Sequence, residues 1–248
     1  MTKRHDSIGI KQTIRYEWMQ KTTSLLLAGL NPDEIRKELH SYLDDKMKKG
    51  DKPASEKTRT FAVNNLMKIW VSPDADLVAF RDRALDVLRE ESSSAIAVHW
   101  GMISASYPFW YNASRHVGRL LALQETITKK QIVQRVKSQY GDRQTVSRYL
   151  RYVIRSLVEW GVLKDSETKG CYQAGSQKNI DSMKCGLVLF EAVLLAIPEG
   201  KMSILELSNS PSLFPFSVPA ISANFIAASG GSLDAAQYGL GDELVSLR

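Results

Sequence analysis

The 248-residue chain has only two cysteines, Cys171 and Cys185, which lie 14 residues apart. Neither belongs to a CxxC pair or stands near a histidine pair, so the sequence predicts free thiols in a reducing compartment. The longest apolar run, residues 186–198, is too short to cross a bilayer and contains Glu191. The first residues are polar and lack the apolar stretch of a secretory signal. We therefore expect a cytoplasmic protein with no membrane partner.

Motifs of catalysis and cofactor binding are also missing from the sequence. Gly230–Gly231 lacks the flanking strand and lysine of a phosphate-binding loop. The four histidines do not have HxxxH or HExxH spacing, and no serine or cysteine has an evident base at a diagnostic spacing. Two acidic pairs, Asp44–Asp45 and Asp74 with Asp76, could hold a divalent cation, but acids beside helix ends are commonly solvated or capping. We expect no enzyme, no cofactor and no metal site.

Helical patterns dominate the first half of the chain. Apolar residues recur at helical spacing over residues 16–123, with a polar loop at 46–57. The composition, 44% apolar and 24% charged, is ordinary for a globular protein. We predict a mainly α protein in three parts. These are an N-terminal helical bundle over 1–123, a basic winged helix-turn-helix over 124–176 and an acidic, second winged-helix-like module over 177–248.

Residues 96–111 are dense in aromatic side chains. Pro108 breaks the run, which predicts a helix, a kink and a second helix that continues to Leu123. Exposed rings could stack on nucleic-acid bases. Few basic residues are interleaved, however, and large rings carry much of a core's apolar area, so we expect core packing. The rings concerned are Trp100, Tyr107, Phe109, Trp110 and Tyr111.

Positive charge is concentrated in residues 129–155. This segment contains eight basic side chains and one acid, Asp142. Its net charge is therefore +7 in 27 positions, while the whole chain carries +6. Because acids are almost absent, ordinary salt bridging along a helix does not account for the arginines. A focused positive field of this kind is typical of a protein that binds duplex DNA.

The basic segment also has the pattern helix, helix, β-hairpin. Thr128 is a candidate N-cap for a helix over 129–140, and Gly141–Asp142 makes a turn. Asp142 or Thr145 could cap the next helix, which runs to Trp160 with an apolar stripe at 3.6-residue spacing. Short strands at 162–164 and 171–173 follow. This order predicts a winged helix-turn-helix.

The second helix of this module would lie in the major groove of DNA, with its early residues at the base edges. We expect Gln144, Ser147 and Arg148 at the base-reading end, where arginine and glutamine make bidentate contacts. Lys169, at the hairpin tip, could touch the minor groove or phosphate. The full candidate set is Lys129, Lys130, Arg135, Arg143, Gln144, Ser147, Arg148, Arg151, Arg155 and Lys169. If five of these side chains contact DNA phosphates, the logarithm of the binding constant should fall with the logarithm of the salt concentration with a slope of about −4.5 (the log-log salt slope).

The C-terminal part repeats the layout with the opposite charge. A helix over 180–196, a short helix capped by Ser203 and a helix over 218–229 opened by Pro219 precede a hairpin that turns at 239–242. Residues 180–248 contain three basic and seven acidic side chains. This surface cannot neutralise phosphates, so protein contact or internal packing is favoured over DNA binding.

Several motifs together suggest a family. A helix ends near Leu30, and the segments His99–Trp100 and Tyr107–Pro108–Phe109 follow. Ile127–Thr128 then leads into the basic module, which ends in LVEWGVL at 157–163. Over about residues 21–173 the chain resembles the BrxA family of BREX phage-resistance proteins. The resemblance implies an all-helical, DNA-associated, non-catalytic component of bacterial defence that acts beside methyltransferase and ATPase partners.

The sequence leaves three functions open. We favour a protein that holds double-stranded DNA with little sequence preference as part of a larger assembly. An interaction scaffold, whose basic face docks an acidic partner, is the chief alternative, because winged helices often bind other proteins. A sequence-specific transcriptional regulator ranks third, because no dimerisation helix is evident.

Overall fold

A computed structural model describes residues 4–49, 52–238 and 242–248 of the chain. The prediction of a mainly α protein is confirmed, and the sheets are small. The helices of the N-terminal half are α1 Tyr16–Leu27, α2 Pro32–Lys46, α3 Glu56–Leu66, α4 Val78–Glu90, α5 Ala95–Ser106 and α6 Pro108–Leu121. Strands β1 Lys48–Lys49 and β2 Lys52–Pro53 lie within the segment predicted as a loop at 46–57, and residues 50–51 of that segment lie outside the described ranges.

Local sequence signals explain where these helices begin and end. Asn31 accepts hydrogen bonds from the backbone of Asp33 and Glu34, and Glu34 accepts one from the Asn31 backbone at 2.9 Å. This capping box, with Pro32 at the first helical position, starts α2. Gly29 has a φ of 83°, a conformation that glycine adopts without strain, and it separates α1 from α2.

The aromatic segment lies in the core, as predicted. Trp100, Phe109 and Trp110 are fully buried. Helix α5 ends before Tyr107, and α6 begins at Pro108. The Trp100 ring makes edge-to-face contacts at centroid distances of 5.5 to 6.2 Å. Its partners in these contacts are Trp110, Trp160, Phe214 and Phe216. Such pairs stabilise a core beyond their buried area.

The basic segment contains the predicted helices and hairpin, with one additional strand. Its elements are β3 Thr126–Thr128, α7 Lys129–Tyr140, α8 Gln144–Glu159, β4 Leu163–Asp165 and β5 Cys171–Ala174. The three strands form an antiparallel sheet in the order β3, β5, β4. Thr128 caps α7 through a capping box with Gln131, as predicted. The predicted cap of α8 is wrong, because Arg143 occupies the N-cap without a side-chain bond, while Asp142 pairs with Lys137.

The C-terminal part contains the predicted helices followed by a hairpin, together with additional short strands. It contains β6 Lys178–Asn179, α9 Met183–Ala196, β7 Lys201–Ser203, α10 Ile204–Ser208, β8 Phe216–Ser217, α11 Ala223–Ala228, β9 Leu233–Tyr238 and β10 Asp242–Leu247. The sheet order β7, β10, β9 matches β3, β5, β4. Ser203 caps α10 as predicted. The helix predicted over 218–229 is shorter, because Ser222 is its N-cap, and the hairpin turn at 239–241 lies outside the described residues.

One buried cluster contains residues from all three predicted parts. Helix α5 packs along α9, and the Trp100 indole donates a hydrogen bond to the Ser212 carbonyl at 3.2 Å. The Trp160 indole donates to the Ile14 carbonyl at 2.8 Å. The residues before α1 therefore lie against the C-terminal end of α8 and leave its N-terminal half clear of this contact.

Candidate nucleic-acid interface

Helix α8 has one apolar face and one polar face. The buried side chains are Val146, Leu150, Val153, Ile154 and Leu157. On the opposite side Gln144, Arg148 and Arg151 are exposed and Ser147 is half-buried. Gln144 and Arg151 each lie three or four residues from both Ser147 and Arg148, so the four side chains project from one side of the helix. The N-terminal half of α8 therefore presents two cations beside two hydrogen-bonding side chains.

Arg148 and Arg151 keep their charge available on this face. Neither guanidinium has a carboxylate oxygen within 4.0 Å in the part of the chain that the structure describes. Each lies near the ring of the following tyrosine, with Arg148 at 5.2 Å from the Tyr149 centroid and Arg151 at 5.4 Å from the Tyr152 centroid. A contact of this kind orients a guanidinium without neutralising it.

Arg155 is different from the other two arginines. Its Nη1 donates to both carboxylate oxygens of Asp165 at 3.0 and 2.8 Å, and Glu159 lies 3.9 Å away. The hydrogen bond to Asp165 is the main cause that raises the pKa of Arg155. The expectation that acids leave these arginines unpaired therefore holds for Arg148 and Arg151 but is wrong for Arg155.

Three lysines of the candidate set lie near the start of α7. Lys129 and Lys130 are exposed in its first turn, where the helix dipole disfavours positive charge. The Lys129 backbone N–H donates to the Gly170 carbonyl at 2.8 Å. This bond brings the hairpin tip, with the exposed Lys169, beside the start of α7. Placing lysines at an unfavourable helix end is a local conflict of the kind that functional sites show.

Arg143 and Arg135 take two separate positions. Arg143 is exposed just before α8, and its Nη2 donates to the Tyr140 carbonyl at 2.9 Å. Arg135 is exposed on α7, one turn before Gln139, which contacts His116 of α6 at 3.3 Å. Arg135 therefore lies on the edge of α7 that meets α6. The structure groups the other cations on the α8 face and at the start of α7, and Arg135 does not join them.

Two arginines on α6, Arg115 and Arg119, were not predicted as site residues from the sequence. Burial is the main cause that lowers the pKa of His116, and the charges of Arg115, Arg119 and Arg135 lower it further. The charges of these three arginines therefore act on one buried ring. The spacing of four residues between Arg115 and Arg119 on α6, without an acid between them, was a signal in the sequence.

Three of the four acids considered as metal ligands, Asp44, Asp74 and Asp76, have basic partners, and the Cys185 thiol is buried. Arg4 donates to both oxygens of Asp76 at 2.7 Å, Lys68 lies 3.5 Å from Asp74, and Arg59 pairs with Asp44. No group of three potential metal ligands occurs within residues 4–49, 52–238 and 242–248. Both cysteines are free, and burial raises the pKa of the Cys185 thiol to about 12.

Across those same ranges, no helix is long and apolar enough to span a membrane. No protein-family model, no curated protein and no solved structure matches the chain. The resemblance to the BrxA family therefore stays a prediction.

Proposed function

We propose that the protein binds duplex DNA, mainly through its backbone, with α6, β3, α7, α8, β4 and β5 acting as a winged helix. In this proposal α7 and α8 are the helix-turn-helix, and the hairpin of β4 and β5 is the wing. The order of helices and strands and the sheet order β3, β5, β4 support the assignment. A recognition helix in the major groove needs an exposed polar face, and α8 has one.

The observation that carries the proposal is the exposed pair Arg148 and Arg151 without a carboxylate partner in the described ranges. Unpaired guanidiniums side by side repel one another, and this cost is offset when they contact DNA, which is a polyanion. The nearby Gln144 and Ser147 add hydrogen-bonding groups on the same face. A solvated helix face would more commonly include acids three or four residues away.

Roles follow from position. Gln144, Ser147 and Arg148 would face base edges, while Arg143 would lie at the groove entrance. Arg155 no longer counts as a phosphate ligand, because Asp165 holds it, and Arg135 lies on a different edge. Four phosphate ligands remain, which are Arg151 on the α8 face, Lys129 and Lys130 at the start of α7, and Lys169 at the hairpin tip. They predict a log-log salt slope of about −3.6 on a duplex that covers the α8 face and these neighbouring lysines alone.

The defence context is the broader part of the proposal. On the strength of the motifs at His99–Trp100 and 157–163, the protein would be a non-enzymatic cytoplasmic component of a BREX-type phage-defence system. Its protein partners would be the methyltransferase and ATPase components of that system. The acidic C-terminal part would contact protein while the basic segment binds DNA. The uncharged helix α11 exposes Asn224, Ala227 and Ala228, which suit contact with protein better than contact with phosphate.

A mobility-shift assay with random-sequence duplex tests the proposal. The variant Arg148→Ala/Arg151→Ala should lose at least about tenfold in affinity and unfold at the wild-type temperature, because both side chains are exposed. The matched control is Lys37→Ala/Lys57→Ala, which removes two exposed positive charges from α2 and α3. The control should bind like wild type. Equal binding by both double variants would show that α8 does not enter the groove.

The same assay separates the rival functions. An interaction scaffold with an acidic protein partner gives no shift even at low salt. A transcriptional regulator gives a shift that depends on one preferred half-site. A shift at low salt with similar affinity for unrelated duplexes supports the backbone-binding protein proposed here.

A further inference from the structure

The arginines of this protein divide into paired and unpaired groups along the chain. Those with a carboxylate within 4.0 Å are Arg4, Arg15, Arg59, Arg81, Arg83, Arg89, Arg155 and Arg248. Six successive arginines have no such partner among the described residues, namely Arg115, Arg119, Arg135, Arg143, Arg148 and Arg151. Outside this group, Arg36 bonds the Asn64 side chain at 2.7 Å. Within the described ranges, a run of six consecutive arginines therefore has no ion-pair partner.

Three of the six unpaired arginines form a second cluster, which consists of Arg115, Arg119 and Arg135. Arg115 and Arg119 are four residues apart on α6, a rise of about 6 Å, and Arg135 approaches from α7. The His116 ring among them is 9% exposed, and its Nδ1 has no hydrogen-bond partner. Burial lowers the pKa of His116, which disfavours its charged form, and no carboxylate in the described ranges lies within 4.0 Å of the three guanidiniums.

Arg115 connects this second cluster to the α8 face. It lines a cavity of about 400 Å³ together with Arg143, which precedes α8. It also lines a cavity of about 290 Å³ together with Arg119. The unpaired arginines therefore run from Arg148 and Arg151 on α8, through Arg143 just before α8, to Arg115 and Arg119 on α6, and we call these five arginines the band.

Acids near the band do not form ion pairs with its arginines. Asp6 and Glu199 line the larger cavity, and Glu206 lines the smaller one. Glu206 is engaged by the backbone and hydroxyl of Ser203 at 3.2 and 3.0 Å. In the structure as described, none of these carboxylates lies within 4.0 Å of a band arginine. A band of cations over two helices matches a polyanion with regularly spaced charges better than a single small anion.

We propose that Arg115, Arg119 and Arg135 bind the phosphate backbone of the same DNA duplex beyond the segment held by α8. The DNA site is then longer than one helix-turn-helix covers. This inference rests on the proposed function. It assigns the three arginines as phosphate ligands and Arg143 as the link between the two groups.

Duplex length is the variable that tests this inference. A duplex of about 12 base pairs, little more than one helical turn, fits the α8 face alone, whereas about 24 base pairs reach both clusters. Fluorescence anisotropy across several salt concentrations should give the wild type a slope of about −3.6 on the short duplex and about −6.3 on the long one. The variant Arg115→Gln/Arg119→Gln should reach only about −4.5 on the long duplex and bind it about tenfold more weakly.

Two further variants control for charge and folding. Arg36→Gln/Lys37→Gln removes two exposed positive charges from α2 and should keep the wild-type slopes. Arg115 lies 5.7 Å from the Tyr111 ring, so its loss could disturb α6. Arg119→Gln/Arg135→Gln changes only exposed side chains and should lower the long-duplex slope by the same amount, about 1.8.

The outcomes separate the two proposals. A longer duplex offers more binding registers to every variant, so the ratio of long-duplex to short-duplex affinity is the decisive quantity. If this ratio is the same in wild type, Arg115→Gln/Arg119→Gln and Arg119→Gln/Arg135→Gln, the second cluster does not bind DNA, although binding through Arg148 and Arg151 would stand. If the wild type binds neither duplex, the proposed function itself fails.

Discussion

The Arg155 guanidinium donates two hydrogen bonds to the Asp165 carboxylate, at 3.0 and 2.8 Å. Arg155 is near the end of α8 and Asp165 ends β4, so the pair ties the helix to the hairpin. Both side chains are partly exposed, at 41% and 54%, and an exposed pair of this kind stabilises a fold only slightly. Under the proposed function the pair matters more for DNA binding, because it removes one cation from the α8 face.

Replacing Asp165 with Asn should therefore strengthen DNA binding. The freed Arg155 adds about one phosphate contact, which makes the log-log salt slope steeper by roughly 0.9 on the short duplex. Glu159, at 3.9 Å, retains part of the charge compensation, so this figure is an upper bound. Anisotropy titration of wild type and Asp165→Asn measures the difference.

The matched control for this variant is Asp234→Asn. Asp234 pairs with Arg248 at 2.8 Å in the C-terminal sheet, and its replacement also raises the net charge by one. It should leave the slope unchanged. Equal gains from both variants would mean that net charge, and not the position of Arg155, controls binding.

Trp100 should be the most costly aromatic side chain to remove. It is fully buried, contacts four other rings and donates a hydrogen bond to the Ser212 carbonyl. Trp100→Ala should lower the free energy of unfolding by about 3–5 kcal/mol. Leu123 is 76% exposed, so Leu123→Ala should change it by less than about 0.5 kcal/mol. Urea denaturation followed by tryptophan fluorescence and circular dichroism compares the two, and similar losses would contradict the assigned core.

His99 should make stability depend on pH. Burial lowers the pKa of His99 from 6.5 to about 3, while its ring contacts Tyr16 and Trp70 edge to face. Because the folded-state pKa is the lower one, the unfolded chain binds a proton that the folded chain excludes. The stability from this group is fully present above pH 6.5 and is lost as the pH falls towards 3.

The expected loss is about 1.4 kcal/mol per pH unit below the unfolded pKa. His116, whose pKa is also lowered by burial, adds to the wild-type dependence. The variant His99→Gln cannot take up the proton, so its free energy of unfolding should fall less between about pH 7 and pH 5. Urea unfolding at both pH values measures this, and parallel losses in the two proteins would rule out His99 as the cause.

Local signals in the sequence predicted much of the helical framework. The capping residues Asn31, Thr128 and Ser203 each bond to the residue three positions later. A cap of this kind can therefore be recognised from the sequence alone. The burial of Trp100 and Trp110 followed from their size and from the few charges around them. The start of α11 was misplaced because Pro219 resembles a first helical residue, whereas Ser222 supplies the cap.

The candidate site was harder to predict because its cations depend on tertiary contacts. Asp165 is ten residues from Arg155 and reaches it only because the chain turns back along α8 at Gly161. Arg115 and Arg135 come together only when α6 packs on α7. Charge counting along the chain cannot distinguish an arginine held by a distant acid from one that stays free.

Salt dependence of binding to the short duplex tests most directly whether the α8 face holds DNA. Fluorescence anisotropy of wild type on about 12 base pairs of unrelated sequences should give a log-log slope of about −3.6. Arg148→Ala/Arg151→Ala should show a flatter slope and weaker binding, while Lys37→Ala/Lys57→Ala should match wild type. No measurable binding at low salt, or a wild-type slope near zero, would contradict a role for this face in holding DNA.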